Sequence, residues 1–160
     1  MNEFDLIKKI ADEQNVSDLF NLKNNGAFSC ALHSILMNQY EKEPSSLNEK
    51  QLNLFLCMHL ENSGQADHIL SFLQEWFPHY QKRVVDSLRI IGAVKSSEII
   101  ERAIKLLPDD GTWFFNSSNE EDEKLMSELD SKFSGYPDGA MCNLIRSYAE
   151  ENKAELFKLI

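Results

Sequence analysis

In this 160-residue chain, two of the three cysteines and two of the four histidines are spaced closely enough to be considered as metal ligands. Cys30 and His33 are three positions apart, so on a helix they share a face, whereas Cys57 and His59 are two apart and point to different sides. Structural zinc sites are typically marked by closely spaced ligand pairs such as CxxC, and no CxxC pair occurs here. The pattern favours cysteines packed in a core, and we expect neither a metal nor another cofactor.

Catalytic chemistry finds equally little support. The chain contains none of the motifs GxSxG, HExxH, GxGxxG or the P-loop, which supply a nucleophile, a metal site or a phosphate-binding backbone. His68 and His79 flank an apolar stretch and have the residue type of an acid–base pair. Four histidines without a partner motif are, however, typical of surface and helix-end positions. The sequence therefore predicts that the protein is not an enzyme.

Carboxylates are the most distinctive charged groups. The net charge is −10, and residues 1–107 contain 14 acids and 11 bases while residues 108–160 contain 12 and 5, which gives balances of −3 and −7. This distribution argues against direct nucleic-acid binding, which requires clustered Lys and Arg. It fits either a solvated acidic surface or a basic protein partner. The candidate partner-binding residues are Asp109, Asp110, Glu120, Glu121, Asp122, Glu123, Glu128 and Asp130.

Helical periodicity places these groups in an all-α fold. Apolar residues recur at three- and four-residue intervals, and six glycines and four prolines are too few for the turns of an all-β sandwich. We predict one domain over residues 1–160, a bundle of about seven or eight helices in which residues 1–44 pack on the rest. The expected core residues are Leu54, Phe55, Met58, Ile69, Leu73, Trp76, Leu88, Ile91, Ile100, Ala103 and Ile104.

The stretch 64–108 is predicted to organise this core as two or three helices. The first should follow a break at residues 62–64 and stop before Pro78, which cannot donate the next backbone hydrogen bond. The second should end at Gly92, because glycine readily adopts the left-handed conformation found at helix C-termini.

Polar residues mark the ends of other predicted helices. Asn48 and Gln51 have the spacing of a capping box at the start of the central apolar helix. Ser96 or Ser97 is expected to cap the helix that Pro108 ends.

Three consecutive aromatic residues, Trp113 to Phe115, fall in a predicted loop over 108–118. They are expected to seal one end of the core, and the alternative is an apolar patch for a partner. Glu120–Glu123 then begin a helix, where the dipole favours carboxylates whether or not a partner binds them. The last helix is predicted over residues 141–160.

Cysteine usage and the N-terminus predict the cellular compartment. Three cysteines, an odd number among apolar neighbours, indicate reduced and buried thiols in a reducing compartment. Residues 1–5 have neither the basic region nor the apolar run of a signal peptide, and no apolar run approaches the ~18 to 20 residues of a membrane span. We expect a cytoplasmic protein with no membrane partner.

Short motifs occur in a fixed order along residues 45–160. They are Asn62-Ser63-Gly64-Gln65-Ala66, Ser87-Leu88-Arg89-Ile90-Ile91-Gly92-Ala93, Leu129-Asp130-Ser131-Lys132-Phe133, and Tyr148 with Phe157. With this ordered set the chain resembles a family of acidic all-α bacterial proteins that includes a DNA-mimic protein. The family usually has Asn-Gly-Gly and an aromatic residue at the first motif, whereas this chain has Ser63 in place of one glycine and Gln65-Ala66 after it.

The resemblance implies an all-α cytoplasmic domain, usually without assigned catalytic residues and mostly of unknown function. For the best-understood relative it implies a surface whose carboxylates imitate DNA phosphates for a DNA-binding protein. The expected partner is then a basic, DNA-binding protein. The alternatives are a helical adaptor or immunity-type protein that binds through an apolar patch, and an unrecognised enzyme. Association as a homodimer is left open.

Overall fold

The computed structural model describes residues 1–157 and is 78% helical. Seven of its helices have seven or more residues, and the described residues contain no strand. The predicted all-α class and the prediction of about seven or eight helices are confirmed. No helix within residues 1–157 is both long enough and apolar enough to span a membrane.

The helices follow one another with short connections. In residues 1–157 they are α1 (Glu3–Glu13), α2 (Val16–Asn21), α3 (Asn25–Lys42), α4 (Glu49–Ala66), α5 (Gln81–Ile90), α6 (Val94–Lys105), α7 (Phe114–Ser117), α8 (Glu120–Ser134), α9 (Met141–Glu151) and α10 (Lys153–Leu156). A π-helical segment, Ser71–Trp76, and 3₁₀ turns at Pro44–Ser46 and Pro78–Tyr80 complete them. The chain divides into two compact units: the first comprises Met1–Met58 and the chain from Ala140 onward, and the second comprises His59–Gly139.

The first unit packs α1 and α9 against α3. The Arg146 guanidinium donates hydrogen bonds to the backbone carbonyls of Phe20 (3.0 Å) and Leu22 (2.8 Å) and lies 4.2 Å from the ring centroid of Phe28. Glu150 accepts a further bond from Arg146 at 2.9 Å. One side chain of α9 thus satisfies carbonyls at the C-terminus of α2, which no residue of α2 itself can do.

The predicted capping box at the start of α4 is confirmed. The Gln51 backbone N–H donates to Asn48 Oδ1 and the Asn48 N–H donates to Gln51 Oε1, both at 2.9 Å. Gln51 Nε2 also donates to the Leu156 carbonyl at 2.8 Å. The cap therefore fixes the start of α4 and holds the C-terminal α10 beside it.

The second unit packs α5 and α8 against α6. Gly64, near the end of α4, lies so close to α8 that a Cβ there would be 2.8 Å from two ring carbons of Phe133. Only a residue without a side chain permits this approach without displacing the ring. Gly64 thus sets how closely α4 and α8 pack in this unit.

The predicted break at residues 62–64 is wrong, because α4 continues to Ala66. Ser63 is buried within it, and its hydroxyl donates to the His68 carbonyl (2.6 Å) and accepts from the Phe72 N–H (3.1 Å). The serine that departs from the family pattern therefore fixes the backbone that follows α4. This tertiary role outweighs its preference for turns.

The apolar stretch after α4 is π-helical over Ser71–Trp76. The Phe77 N–H donates to the Phe72 carbonyl at 2.9 Å, five residues back, before the chain turns at Pro78 as predicted. The wider turn rotates later residues away from the face that a 3.6-residue period predicts. Trp76 is accordingly 43% exposed, so its assignment to the core is wrong.

Most of the other predicted core residues are buried. Leu54, Phe55 and Met58 are buried in the first unit. In the second unit the buried residues are Ile69, Leu73, Leu88, Ile91, Ile100 and Ala103. Ile104 is only partly buried, because it lies near the C-terminal end of α6 and lines an open cleft there.

Two other predicted boundaries also differ from the structure. The predicted loop 108–118 contains the four-residue α7, and the predicted last helix breaks at Asn152 between α9 and α10. Residues 158–160 of that predicted helix lie outside the described residues.

The N-terminus of α6 shows why the predicted serine caps are wrong. The helix starts at Val94, and Ser96 and Ser97 are buried inside its first turn. Asp138 accepts from the backbone N–H groups of Lys95 (3.0 Å) and Ser96 (2.8 Å). A carboxylate from beyond α8 thus takes the place of a local N-cap.

Gly92 ends α5 as predicted, with φ of 95°. The Ala93 N–H donates to the Leu88 carbonyl (2.8 Å) and the Gly92 N–H to the Arg89 carbonyl (3.1 Å), which is the Schellman arrangement. A β-branched residue is strained at this φ, so Gly92→Val should lower the free energy of unfolding by more than about 1 kcal/mol. Chemical denaturation of the two proteins measures the difference.

Gly135→Ala is the matched control, because Gly135 has an ordinary φ of −79° and a Cβ there meets its nearest neighbour at 3.4 Å. An unchanged unfolding midpoint for Gly92→Val would show that the left-handed turn contributes nothing to stability.

Candidate partner-binding surface

The acidic segment, defined here as residues 109–130, contains all eight candidate carboxylates. Asn119 caps the N-terminus of α8 within this segment, since its Oδ1 accepts from the Asp122 N–H at 2.8 Å. Glu120–Glu123 occupy the first turn of α8, as predicted, where the positive end of the helix dipole stabilises negative charge. The sequence of the acidic segment thus builds a helix start that concentrates charge.

None of the eight carboxylates is buried. Asp122, Glu123 and Asp130 are partly exposed, and the rest are exposed: Asp109, Asp110, Glu120, Glu121 and Glu128. The acidic segment contains one base, Lys124, and within residues 1–157 none of the eight forms an ion pair with a Lys or Arg side chain. Their charge is therefore left uncompensated by the described protein.

Three of these carboxylates also hold local structure. Hydrogen bonds from Thr112, first from its hydroxyl and then from its backbone N–H (3.0 Å to Oδ1), keep the pKa of Asp110 below its usual range. Glu123 Oε1 accepts from the Ser118 hydroxyl at 2.8 Å, and Asp130 Oδ1 accepts from the Ile69 N–H at 2.8 Å. Each bond fixes one carboxylate oxygen, and the side chain is oriented as a result.

The aromatic triplet Trp113–Phe115 precedes α8, and its last two residues lie on the short helix α7. The Gln74 side chain hydrogen-bonds to the backbone on both sides of Trp113. It donates to the Thr112 carbonyl (3.0 Å) and accepts from the Phe114 N–H (2.8 Å). Phe114 is 1% exposed, whereas Phe115 is 49% exposed, because successive helical residues point in different directions. The predicted sealing of the core is confirmed for Phe114 and wrong for Phe115, and Trp113 is partly buried.

Phe115 and part of the acidic segment line one cleft of about 420 Å³, called here the Phe115 cleft. Its lining residues are Asp67, His68, Ile69, Leu70, Phe115, Glu123, Met126, Ser127 and Asp130. The buried side chains of Ile69, Leu70 and Met126 form an apolar floor, and three carboxylates add negative charge. The two features that the sequence offered as alternatives, carboxylates and exposed aromatic surface, therefore meet at one place.

Asp67 and His68 complete one side of the Phe115 cleft. Asp67 Oδ2 accepts from the Ser71 hydroxyl at 2.6 Å, and Asp67 Oδ1 lies 3.5 Å from His68 Nε2. His79 lines a different cleft, together with Arg89. The structure thus does not bring His68 and His79 together as the pair considered for acid–base chemistry.

The cysteines considered as metal ligands lie in unlike surroundings. Cys57 is buried in α4 as predicted, but Cys30 is exposed on α3 and Cys142 is partly exposed on α9, so the prediction of three buried thiols is wrong. Apolar residues adjacent to a cysteine in sequence do not show that the cysteine itself lies on the buried face of its helix. Among residues 1–157 no group of three or more His, Cys, Asp or Glu side chains could hold a metal ion.

Sequence analysis did not identify the shifted pKa values of two titratable groups in α4, His59 and Glu61. Burial raises the pKa of Glu61 to about 7 and lowers the pKa of His59. The His59 ring packs edge-on against Trp76 and Phe77, with centroids 5.5 and 4.9 Å apart. Their position within an apolar helix was the available signal, since polar residues in such a run are easily desolvated.

A family model described as DMP19-like protein matches residues 45–152, which includes the whole acidic segment. No curated protein and no solved structure matches the chain significantly.

The raised pKa of Glu61 predicts a pH-dependent stability. Between its ordinary value of 4.5 and about 7, the unfolded state binds fewer protons than the folded state at this group, so its contribution destabilises the fold increasingly as pH rises. Glu61→Gln should remove this loss. The gain in its free energy of unfolding over the parent should therefore be larger at pH 8 than at pH 4. Urea denaturation across pH measures the difference.

Glu75→Gln is the control, because it changes an exposed carboxylate of the same unit. A stability gain for Glu61→Gln that does not grow with pH would contradict the raised pKa.

Proposed function

The chain belongs to the DMP19-like protein family, and we propose that it is a non-enzymatic acidic domain that binds a basic protein. In the more specific form of this proposal, the domain is a DNA mimic that occupies the DNA-binding surface of its partner. The family that the sequence resembles includes a DNA-mimic protein, and the matched range contains every carboxylate of the acidic segment.

The uncompensated charge of the acidic segment carries the proposal. Elsewhere in the second unit, Arg89 lies 3.6 Å from Asp86 and 3.2 Å from Glu101, so those carboxylates already have a cation. The eight carboxylates of the acidic segment have none within residues 1–157. A partner rich in Lys and Arg would supply the missing cations and would be steered toward this surface.

Charge spacing supports the DNA-mimic form. An α-helix rises about 1.5 Å per residue, so Glu120–Glu123 set one charge per about 1.5 Å of helix axis over one turn. Duplex DNA carries one charge per about 1.7 Å of its axis. The axial charge density at the start of α8 is therefore similar to that of duplex DNA, while the four side chains point in different directions around the helix.

The second candidate function is an adaptor that binds through apolar area, and the 49% exposure of Phe115 favours it. The two functions differ in their response to salt. Binding by exposed carboxylates weakens as the Debye length shortens from about 10 Å at 0.1 M to about 3 Å at 1 M, whereas apolar contact is much less sensitive.

The test removes four charges from the first turn of α8 with Glu120→Gln, Glu121→Gln, Asp122→Asn and Glu123→Gln. The parent should capture a basic protein from native extract at low salt, and both 1 M salt and duplex DNA competitor should release it. The variant should retain less than about a tenth of it, since each exposed contact is worth up to about 1 kcal/mol.

The control variant removes four exposed carboxylates from α1, with Glu3→Gln, Asp5→Asn, Asp12→Asn and Glu13→Gln, and so has the same net charge. Equal retention of the partner by the α8 variant and the parent would refute the binding surface. Release by salt but not by duplex DNA would refute the mimic and leave an acidic adaptor. Denaturation curves of both variants separate lost binding from lost stability.

A further inference from the structure

The Phe115 cleft combines an exposed aromatic ring, buried apolar side chains and three carboxylates. We propose that it binds an arginine side chain of the basic partner, an inference that rests on the proposed function and assigns it a specific anchoring site. Half-exposed Phe115 provides an aromatic surface, and the buried side chains of Ile69, Leu70 and Met126 form the apolar floor of the cleft. An arginine presents a planar guanidinium to the first and three methylene groups to the second.

Two oriented carboxylates, Glu123 and Asp130, line the same cleft. Glu123 uses Oε1 for the Ser118 hydroxyl, and Asp130 uses Oδ1 for the Ile69 N–H. Within residues 1–157, Glu123 Oε2 and Asp130 Oδ2 accept no hydrogen bond. Because the bonded oxygens already fix both side chains, little further conformational entropy is lost when a cation binds.

No Lys or Arg within residues 1–157 lines the Phe115 cleft. The one basic ring among its lining residues, His68, lies against Asp67 at 3.5 Å. Charge complementarity therefore calls for a cation from outside. Arginine fits better than lysine, because its flat guanidinium stacks on an aromatic ring and presents several N–H donors to carboxylates, whereas an ammonium is a compact and strongly hydrated charge.

The probe is the peptide acetyl-Gly-Arg-Gly-amide, titrated into the ¹⁵N-labelled full chain and followed by NMR. Saturable shifts are expected for the backbone amides of Phe115, Glu123 and Ser127. The citrulline peptide keeps the shape without the charge and should bind at least about tenfold more weakly. The lysine peptide should bind about threefold more weakly, because it lacks the stacked and forked contacts.

Matched single variants locate the site. Glu123→Gln and Phe115→Ala should each weaken the arginine peptide about fivefold, while Glu121→Gln, an equal charge change on an exposed residue outside the cleft, should change it less than twofold. Equal weakening by Glu121→Gln and Glu123→Gln would overturn the inference, as would equal binding of the arginine and citrulline peptides. If Phe115→Ala does not fold, the Glu123 and Glu121 pair alone decides.

The outcome separates the cleft from the proposed function. Capture of a DNA-displaceable basic protein by the parent, without specific arginine binding in the cleft, overturns this inference and keeps the function. Specific arginine binding without capture of any basic protein keeps the cleft as an arginine site and overturns the function.

Discussion

Backbone N–H groups at the starts of helices need acceptors, and in the second unit two of these acceptors come from far along the chain. Asp130 accepts from the Ile69 N–H, 61 residues away in sequence, and Asp138 accepts from the Ser96 N–H, 42 residues away. Without them, donors at the start of the segment after α4 and at the start of α6 would lose their partners, at a cost of roughly 1 to 3 kcal/mol for each buried group. The acidity of this unit is therefore partly a structural requirement.

The same requirement decides what the sequence could predict. Asn48 and Gln51 satisfy one another across three residues, so the start of α4 is visible in a local pattern. The start of α6 is not, because its acceptor is Asp138 and the nearby serines are buried instead. Positions such as Gly92 are predictable because a backbone conformation, which is a local property, restricts the residue type.

The candidate site was predictable in its parts and not in its assembly. Sequence analysis identified the carboxylates of the acidic segment and the aromatic triplet as competing explanations. Only packing places Phe115 beside Glu123 and Asp130, because Gln74 holds the aromatic backbone and Asp130 holds Ile69. Glu61 escaped notice for a related reason, since a charge among apolar neighbours says little about how far the helix around it is desolvated.

The close approach of Gly64 to the Phe133 ring lies at the C-terminal end of α8, far from its charged first turn. Phe133 lies in the last turn of α8, and Glu120 begins that helix thirteen positions earlier, about 20 Å away along its axis. A methyl group at position 64 would have to push the ring outward by the better part of an ångström, and a rigid helix would convert that push into a tilt. Residue 64, which is buried, can therefore set the orientation of the charged first turn of α8 without contacting it. A substitution at this position would change the orientation of that charged turn without changing any of its residues.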